Sequence, residues 1–191
     1  MSPATTTPTK NGASVSAKKA KPLTMSDYKR FKATSDVESK YKLGSFLGSG
    51  AFGQVRRCTH IDTGNEFAIK IMKKEMVKKR KIYLKLLENE LSILGSKSHP
   101  KIIRIVDLME DQNNYYVVSE VVEGGELFKR LCILENFTEQ QAVNIIQQVM
   151  LGLNYLHLQN ITHRDLKPEN ILLVSKNIHN FDVKISDLGF A

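Results

Sequence analysis

The sequence predicts an α+β protein: a small antiparallel sheet unit with one helix, followed by a mainly helical unit. Three observations lead there. Short β-type runs are broken by glycine and turn clusters over residues 41–72, the spacing turns helical over 76–95, and it turns helical again after the Gly124-Gly125 pair. With 191 residues, 41% of them hydrophobic, the chain has enough apolar surface for a real core.

Residues 1–40, opening MSPATTTPTKNGASVSAKKAKP, carry few large apolar side chains, and burying so little surface cannot offset the entropy of ordering. A disordered basic tail is expected, either a solvated linker or a transit or nuclear-import segment. From Tyr41, YKLGSFLGSGAFGQVRRCTHIDTGNEFAIKIM reads as three strands of a meander, with turns at Gly48-Ser49-Gly50 and at Asp62-Thr63-Gly64-Asn65. Over 76–95, Tyr83, Leu87, Leu91 and Leu94 recur at three and four residues and Gly95 is placed as a stop, which predicts an amphipathic helix. IIRIVDLME and NYYVVSE, separated by Asp111-Gln112-Asn113, form a second hairpin and bring the strands to five.

Beyond Gly125, ELFKRLCIL reads as a helix, and a longer one runs from Phe137 to about Gln159. Its start is marked by Thr138 and Gln141, a capping box in which each residue satisfies the other's backbone N–H. Ala142, Val143, Ile145, Ile146, Val149, Met150, Leu153 and Leu156 share one broad face of this helix, and Leu151, Tyr155 and Leu158 lie opposite. A helix apolar on two sides expects partners on both.

The net charge of +8 does not point to a nucleic-acid partner, because residues 1–40 hold eight Lys or Arg against three Asp or Glu and so contain most of the excess. Lys73, Lys74, Lys78, Lys79, Arg80, Lys81 and Lys85 read as a solvated helix entry, with a docking or nucleic-acid role as the alternative. Cys58 and Cys132 lack metal-ligand spacing, and reduced thiols in an intracellular, cytoplasmic protein are expected. The longest apolar runs fall short of the roughly 18 to 20 residues that span a bilayer, so no membrane partner is expected.

Four features carry chemistry. Gly48, Gly50 and Gly53 form a GxGxxG pattern that a dinucleotide fold shares, but here a strand-like run follows instead of a helix, as in a flap whose N–H groups fold over phosphates. Ala68-Ile69-Lys70 ends an apolar strand pattern with a lysine, which could also be a plain surface cation. Glu90 sits beside the apolar stripe of its helix and needs a cation, for which Lys70 is the candidate. Most specific is His163-Arg164-Asp165-Leu166-Lys167-Pro168-Glu169-Asn170. Here Asp165 can accept a hydroxyl proton, Lys167 can neutralise a moving phosphoryl group, and the Asn170 oxygen can ligate a hard cation.

Taken in order over residues 41–191, these motifs resemble the eukaryotic protein kinase superfamily. HRDLKPEN, with Lys167, resembles the serine/threonine class, and YYVVSEVVEGGELFKRL with HRDLKPENILL most resembles the calcium/calmodulin-dependent and calcium-dependent group. The resemblance implies a bilobal fold: a five-stranded N-lobe with one helix over 41–123, ending in the hinge, and an incomplete, mainly helical C-lobe over 124–191. It implies transfer of the γ-phosphoryl of ATP to protein Ser/Thr hydroxyls, with Mg²⁺.

Roles follow residue by residue from the same resemblance. Leu47, Gly48, Ser49, Gly50, Ala51, Phe52, Gly53, Gln54 and Val55 would cover ATP, with Val55 and Ala68 above the adenine and Leu172 below it. Lys70 would hold the α- and β-phosphates and pair with Glu90. The hinge from Glu120 to Val122 would bond adenine, and Ser119 before it would be a small gatekeeper. Glu126 would reach the ribose and a basic substrate side chain and Glu169 a second one, which implies substrates with basic residues near the phosphosite. Asp165 would be the catalytic base, Lys167 the γ-phosphate clamp, and Asn170 and Asp187 the Mg²⁺ ligands.

Two departures stand out. Asp187-Leu188-Gly189 replaces the family's usual Asp-Phe-Gly, though Leu188 stays apolar and could stack with Leu94, Ile105 and His163. The resemblance also implies about 100 further residues after Ala191, including the activation segment. Without them the chain is expected to be poorly folded beyond Gly125 or to aggregate. Two rival readings stay open: a non-catalytic nucleotide-binding or regulatory kinase fragment, and an incomplete gene model.

Overall fold

The computed structural model describes residues 32–33, 37–50, 53–78 and 98–187. Their larger sheet has six strands, β1 (Lys32–Ala33), β2 (Tyr41–Gly50), β3 (Gly53–His60), β4 (Glu66–Lys73), β5 (Ile105–Glu110) and β6 (Asn114–Glu120), in the order β1-β5-β6-β4-β3-β2. The meander β2–β3–β4 and the hairpin β5–β6 are the five strands expected, joined edge to edge by antiparallel pairing of β4 with β6. The two-residue β1 adds a parallel edge to β5.

That edge corrects the expected tail. Val37, in the short 3₁₀ turn Val37–Ser39, is buried in the core, and Lys40 pairs with the buried carboxylate of Asp107, which also accepts a bond from Tyr41. Composition assigns these residues to the tail because one apolar side chain cannot order a free chain, yet it can dock on a sheet that already exists. Residues 1–31 and 34–36, on which the rest of that expectation falls, lie outside the described residues.

Both faces of the sheet are covered. Tyr116 and Val118 of β6 pack with Val37, Tyr41, Cys58, Phe67, Ile69 and Met109, while Tyr115 and Val117 pack on the other side with Met72, Val77, Ile102, Ile105, Leu108 and Leu156. Alternate side chains therefore both meet apolar surroundings, which is why YYVVSE runs apolar without alternation. Helix α1 (Lys74–Lys78) follows β4 directly. The remainder of the helix expected over 76–95, with Tyr83, Leu87, Glu90, Leu91 and Leu94, lies outside the described residues.

The second unit contains β7 (Gly125–Glu126), α2 (Leu127–Leu134), α3 (Glu139–His157), β8 (Ile171–Leu173) and β9 (Val183–Ile185), with the strands ordered β7-β8-β9. The capping box forms as read: Gln141 N donates to Thr138 Oγ1 at 3.3 Å and Thr138 N to Gln141 Oε1 at 3.0 Å. Leu127, Ile145, Val149, Ile171, Leu173, Val183 and Ile185 make a core of their own beyond Gly125.

The broad apolar face of α3 divides, however. Ile145, Gln148, Val149, Gly152 and Leu156 are buried, whereas Val143, Ile146 and Met150 are exposed, as are Leu151 and Leu158 on the opposite side. The reason is that β9 meets α3 along one stripe narrower than the helix's apolar surface. At Gly152 an added Cβ would come within 2.8 Å of Ile185 Cδ1, so the missing side chain permits the contact. Ile185 also joins the two units, donating to Lys101 O at 2.8 Å and accepting from Ile103 N at 2.9 Å. Among the described residues no helix is long and apolar enough to cross a membrane.

Candidate active site

The glycine flap is the far end of the β2–β3 ladder. Gly48 pairs with Val55, Ser49 with Gln54 and Gly50 with Gly53, after register shifts around Phe46 that bend the strand; Leu47 is 41% exposed at its base. A side chain at Gly53 would overlap the Ile71 carbonyl, so glycine there is a packing requirement. Ala51 and Phe52, the tip, lie outside the described residues. Val55 is in register with Lys70, and Ala68 with Ser119, so these residues share one face of the sheet.

The HRDLKPEN segment folds into a bonded loop. His163 is 2% exposed; its Nδ1 accepts from Asp165 N at 3.3 Å and its Nε2 lies 3.0 Å from Ser186 O, which fits the tautomer protonated on Nε2. Lys167 Nζ lies 2.9 Å from Asp165 Oδ2. Asn170, buried at the end of the 3₁₀ turn Pro168–Asn170, donates through Nδ2 to Asp165 O at 2.8 Å and to Asp165 Oδ2 at 3.0 Å. Hydrogen bonding from Lys167, and then from Asn170, holds the Asp165 carboxyl below its usual range, while Asp165 raises the Lys167 ammonium. Asp165 is thus a fixed, ionised acceptor.

Two non-glycine residues bracket this loop in left-handed backbone conformation, Arg164 at φ 59° and Asp187 at φ 58°. Such positions cost about 1–3 kcal/mol each and persist where surrounding contacts impose them. Here the imposing residue is Ser186, whose N and Oγ both donate to Asn170 O, at 2.8 and 3.0 Å, while its carbonyl faces His163. These bonds bring Asp187 to the loop although seventeen positions separate it from Asn170. Its Oδ1 is 3.9 Å from Lys70 Nζ on β4. Lys70, Asp165, Lys167, Asn170 and Asp187 are therefore gathered between the two sheets, while Glu90, Leu188 and Gly189 lie outside the described residues.

The protein kinase domain family matches residues 41–191, the span over which these motifs run in order. The chain belongs to the protein kinase domain family. It is similar to calcium/calmodulin-dependent protein kinase type I of Schizosaccharomyces pombe, 41% identical over 84% of this chain and 48% of that protein. It is also similar to death-associated protein kinase 2 of Mus musculus, 41% identical over 81% of the chain and 42% of the relative. Calcium-dependent protein kinase 4 of Plasmodium berghei is 43% identical over 80% and 29% respectively. The chain spans less than half the length of each of these curated relatives.

Kinase-domain membership implies ATP and a divalent metal, and the residues present suit such an ion. Asp187 Oδ1 is buried without a hydrogen-bond partner. Asn170 directs its amide N–H groups to Asp165, which leaves its amide oxygen as a hard ligand. In the linker between the lobes, the amide of Glu120 is used by Arg104 O at 2.9 Å, so this residue can offer a nucleotide only its backbone carbonyl. Its carboxylate accepts from Arg104 N at 2.9 Å and from Lys184 Nζ at 2.7 Å. Leu172 sits on β8 opposite Glu126, whose carboxylate holds the exposed Lys129 at 2.7 Å, and Glu169 is exposed.

Several residues that organise this kinase domain carry no sequence signal of their own. Ser186, Lys184 and Glu123 act through partners 16 to 66 positions away. Gln148 had a faint one: it is a polar residue inside the stripe of Ile145, Val149 and Gly152.

Proposed function

We propose that this chain carries the nucleotide-binding and phosphoryl-transfer elements of a serine/threonine protein kinase, which moves the γ-phosphoryl of ATP to protein hydroxyls. The supporting observation is the bonded set Asp165–Lys167–Asn170, tied through Ser186 to Asp187 and thence to Lys70.

In this reading Leu47 to Val55 cover the nucleotide, Val55 and Ala68 line its roof and Leu172 its floor, and the Glu120–Val122 backbone orients adenine. Lys70 holds the α- and β-phosphates. Asn170 and Asp187 would hold Mg²⁺, which supplies charge neutralisation to the phosphates. Asp165 accepts a hydrogen bond from the substrate hydroxyl and directs its lone pair in line with the γ-phosphorus. Because the carboxyl sits below its usual range, it orients first and takes the proton only as the P–O bond forms and the hydroxyl becomes acidic. Lys167, beside it, meets the charge on the transferred group. Glu169, and Glu126 on exchange of its lysine partner, would favour basic residues near the phosphosite.

The test is ATP binding with and without Mg²⁺ for the chain and its Lys70→Ala and Asp187→Ala variants. Tighter binding with Mg²⁺ that Asp187→Ala abolishes, and weaker binding at all conditions for Lys70→Ala, are expected. Equal affinities for all three proteins would sink the reading. Binding without phosphorylation of a basic peptide would select the non-catalytic nucleotide-binding reading instead.

A further inference from the structure

We infer that Arg57, Glu123 and Lys176 form an ion-pair clamp that sets the height of the nucleotide cleft, which makes Arg57 a positioning residue for the adenine pocket. The assignment of the pocket rests on the reading above; the clamp rests on geometry alone.

Arg57 stands on β3, in register with Ala68 and on the same face as Val55, the two residues assigned to the roof. Its guanidinium grips the carboxylate of Glu123 as a fork, Nη1 2.7 Å from Oε1 and Nη2 donating to Oε2 at 2.9 Å. A fork holds both orientation and distance, whereas a single ammonium supplies attraction alone.

Glu123 in turn belongs to the floor. Its N–H donates to Val174 O at 3.2 Å, the next N–H, of Gly124, donates to Leu173 O at 3.0 Å, and Lys176 closes on Oε2 at 3.1 Å. The linker lies flush on β8: a side chain at Gly124 would overlap Ser175 O, Leu173 O and the Leu173 side chain. A continuous set of contacts thus runs from the roof strand to the strand bearing Leu172. Arg57 pulls the Glu123 carboxyl well below its usual value, which agrees with a pair that stays formed. Arg57 also pairs with Glu66 at 2.7 Å, but this contact stays within the β3–β4 ladder and serves as the internal control.

The experiment uses the full chain with two readouts. In ATP titrations, Arg57→Gln and Glu123→Gln should each weaken binding roughly threefold to tenfold, whereas Glu66→Gln should stay within about twofold. The double variant Arg57→Gln/Glu123→Gln should be no worse than either single one, since both remove the same contact. In the nucleotide-free chain, amide exchange at Glu123 and Gly124 should speed up in Arg57→Gln and Glu123→Gln and stay unchanged in Glu66→Gln. A simple structural loss would lower thermal stability in all three variants without separating them by exchange. Unaltered exchange at both amides overturns the clamp. ATP affinity within about twofold for both Arg57→Gln and Glu123→Gln overturns the positioning role. If the unaltered chain binds no ATP while exchange responds as expected, the nucleotide reading and Arg57's part in it fall, and the clamp stands.

Discussion

Replacing Gln148 by Ala should destabilise the protein by about 2–4 kcal/mol, through groups left without partners. The buried carboxamide serves four neighbours: Oε1 accepts from Lys101 Nζ at 2.6 Å and from Val183 N at 3.1 Å, and Nε2 donates to Asn144 Oδ1 at 2.6 Å and Phe181 O at 2.8 Å. Lys101 keeps Asp182 at 3.7 Å and Asn144 is exposed, so neither is stranded. Val183 is 1% exposed and its N–H is stranded, while Phe181 is half-buried and its carbonyl loses one partner. The stranded N–H costs about 1–3 kcal/mol and the bond lost at the carbonyl about 1 kcal/mol, together a large share of a typical stability of about 5–15 kcal/mol. Urea denaturation reads the effect, with Gln147→Ala on the exposed side as the matched control, expected within about 0.5 kcal/mol of the unaltered chain. Because β9 leads from Val183 to Asp187, divalent-ion binding should fall in the Gln148 variant and not in the control. A midpoint for Gln148→Ala equal to that of Gln147→Ala would refute the reasoning, since solvent must then reach the Val183 N–H.

Acid should dissolve the Arg57–Glu123 pair in a defined window. Glu123 is depressed from 4.5 to about 2 in the fold, so its contribution is complete above pH 4.5 and is lost as pH falls through about 2. Melting curves of the unaltered chain and Glu123→Gln should therefore differ at neutral pH and converge toward pH 2. Thiol labelling at pH 8 or so should modify Cys132, which is exposed, and spare Cys58, which is buried with its thiol pushed up to about 11; Cys132→Ser should then leave no fast-reacting thiol. Ser119 pairs with Ala68 and Ile105 at the back of the roof. A Ser119→Met variant should lose binding of a bulky ATP-competitive ligand while keeping ATP, and equal ligand binding by both proteins would remove the gatekeeper role.

The parts that could be read from the chain share a property: each depends on residues close together in it. Thr138 and Gln141 are three apart, so the capping box was visible, and it forms. The Asp111-Gln112-Asn113 turn and the apolar runs beside it specified the β5–β6 hairpin for the same reason. Asp165, Lys167 and Asn170 fall within six residues, and their mutual hydrogen bonds follow from that proximity. Misreadings came where distant surfaces decide. Val37 looked like tail because its partners on β5 lie some seventy residues on. Val143, Ile146 and Met150 looked like one face with Ile145 and Val149, yet only the stripe touching β9 is covered.

By itself the sequence determined strands β2 to β6, helices α2 and α3, the capping box, the flap glycines and the HRDLKPEN octapeptide, since backbone propensity and side-chain periodicity act over a few residues. Tertiary structure alone decided which of two adjacent glutamines is buried, that Ser186 binds the Asn170 carbonyl and sets Asp187 beside Lys70, and that Arg57 reaches Glu123 across sixty-six positions. Charges and polar groups find partners by position in space, and a paired carboxylate is spelled in the chain no differently from a solvated one.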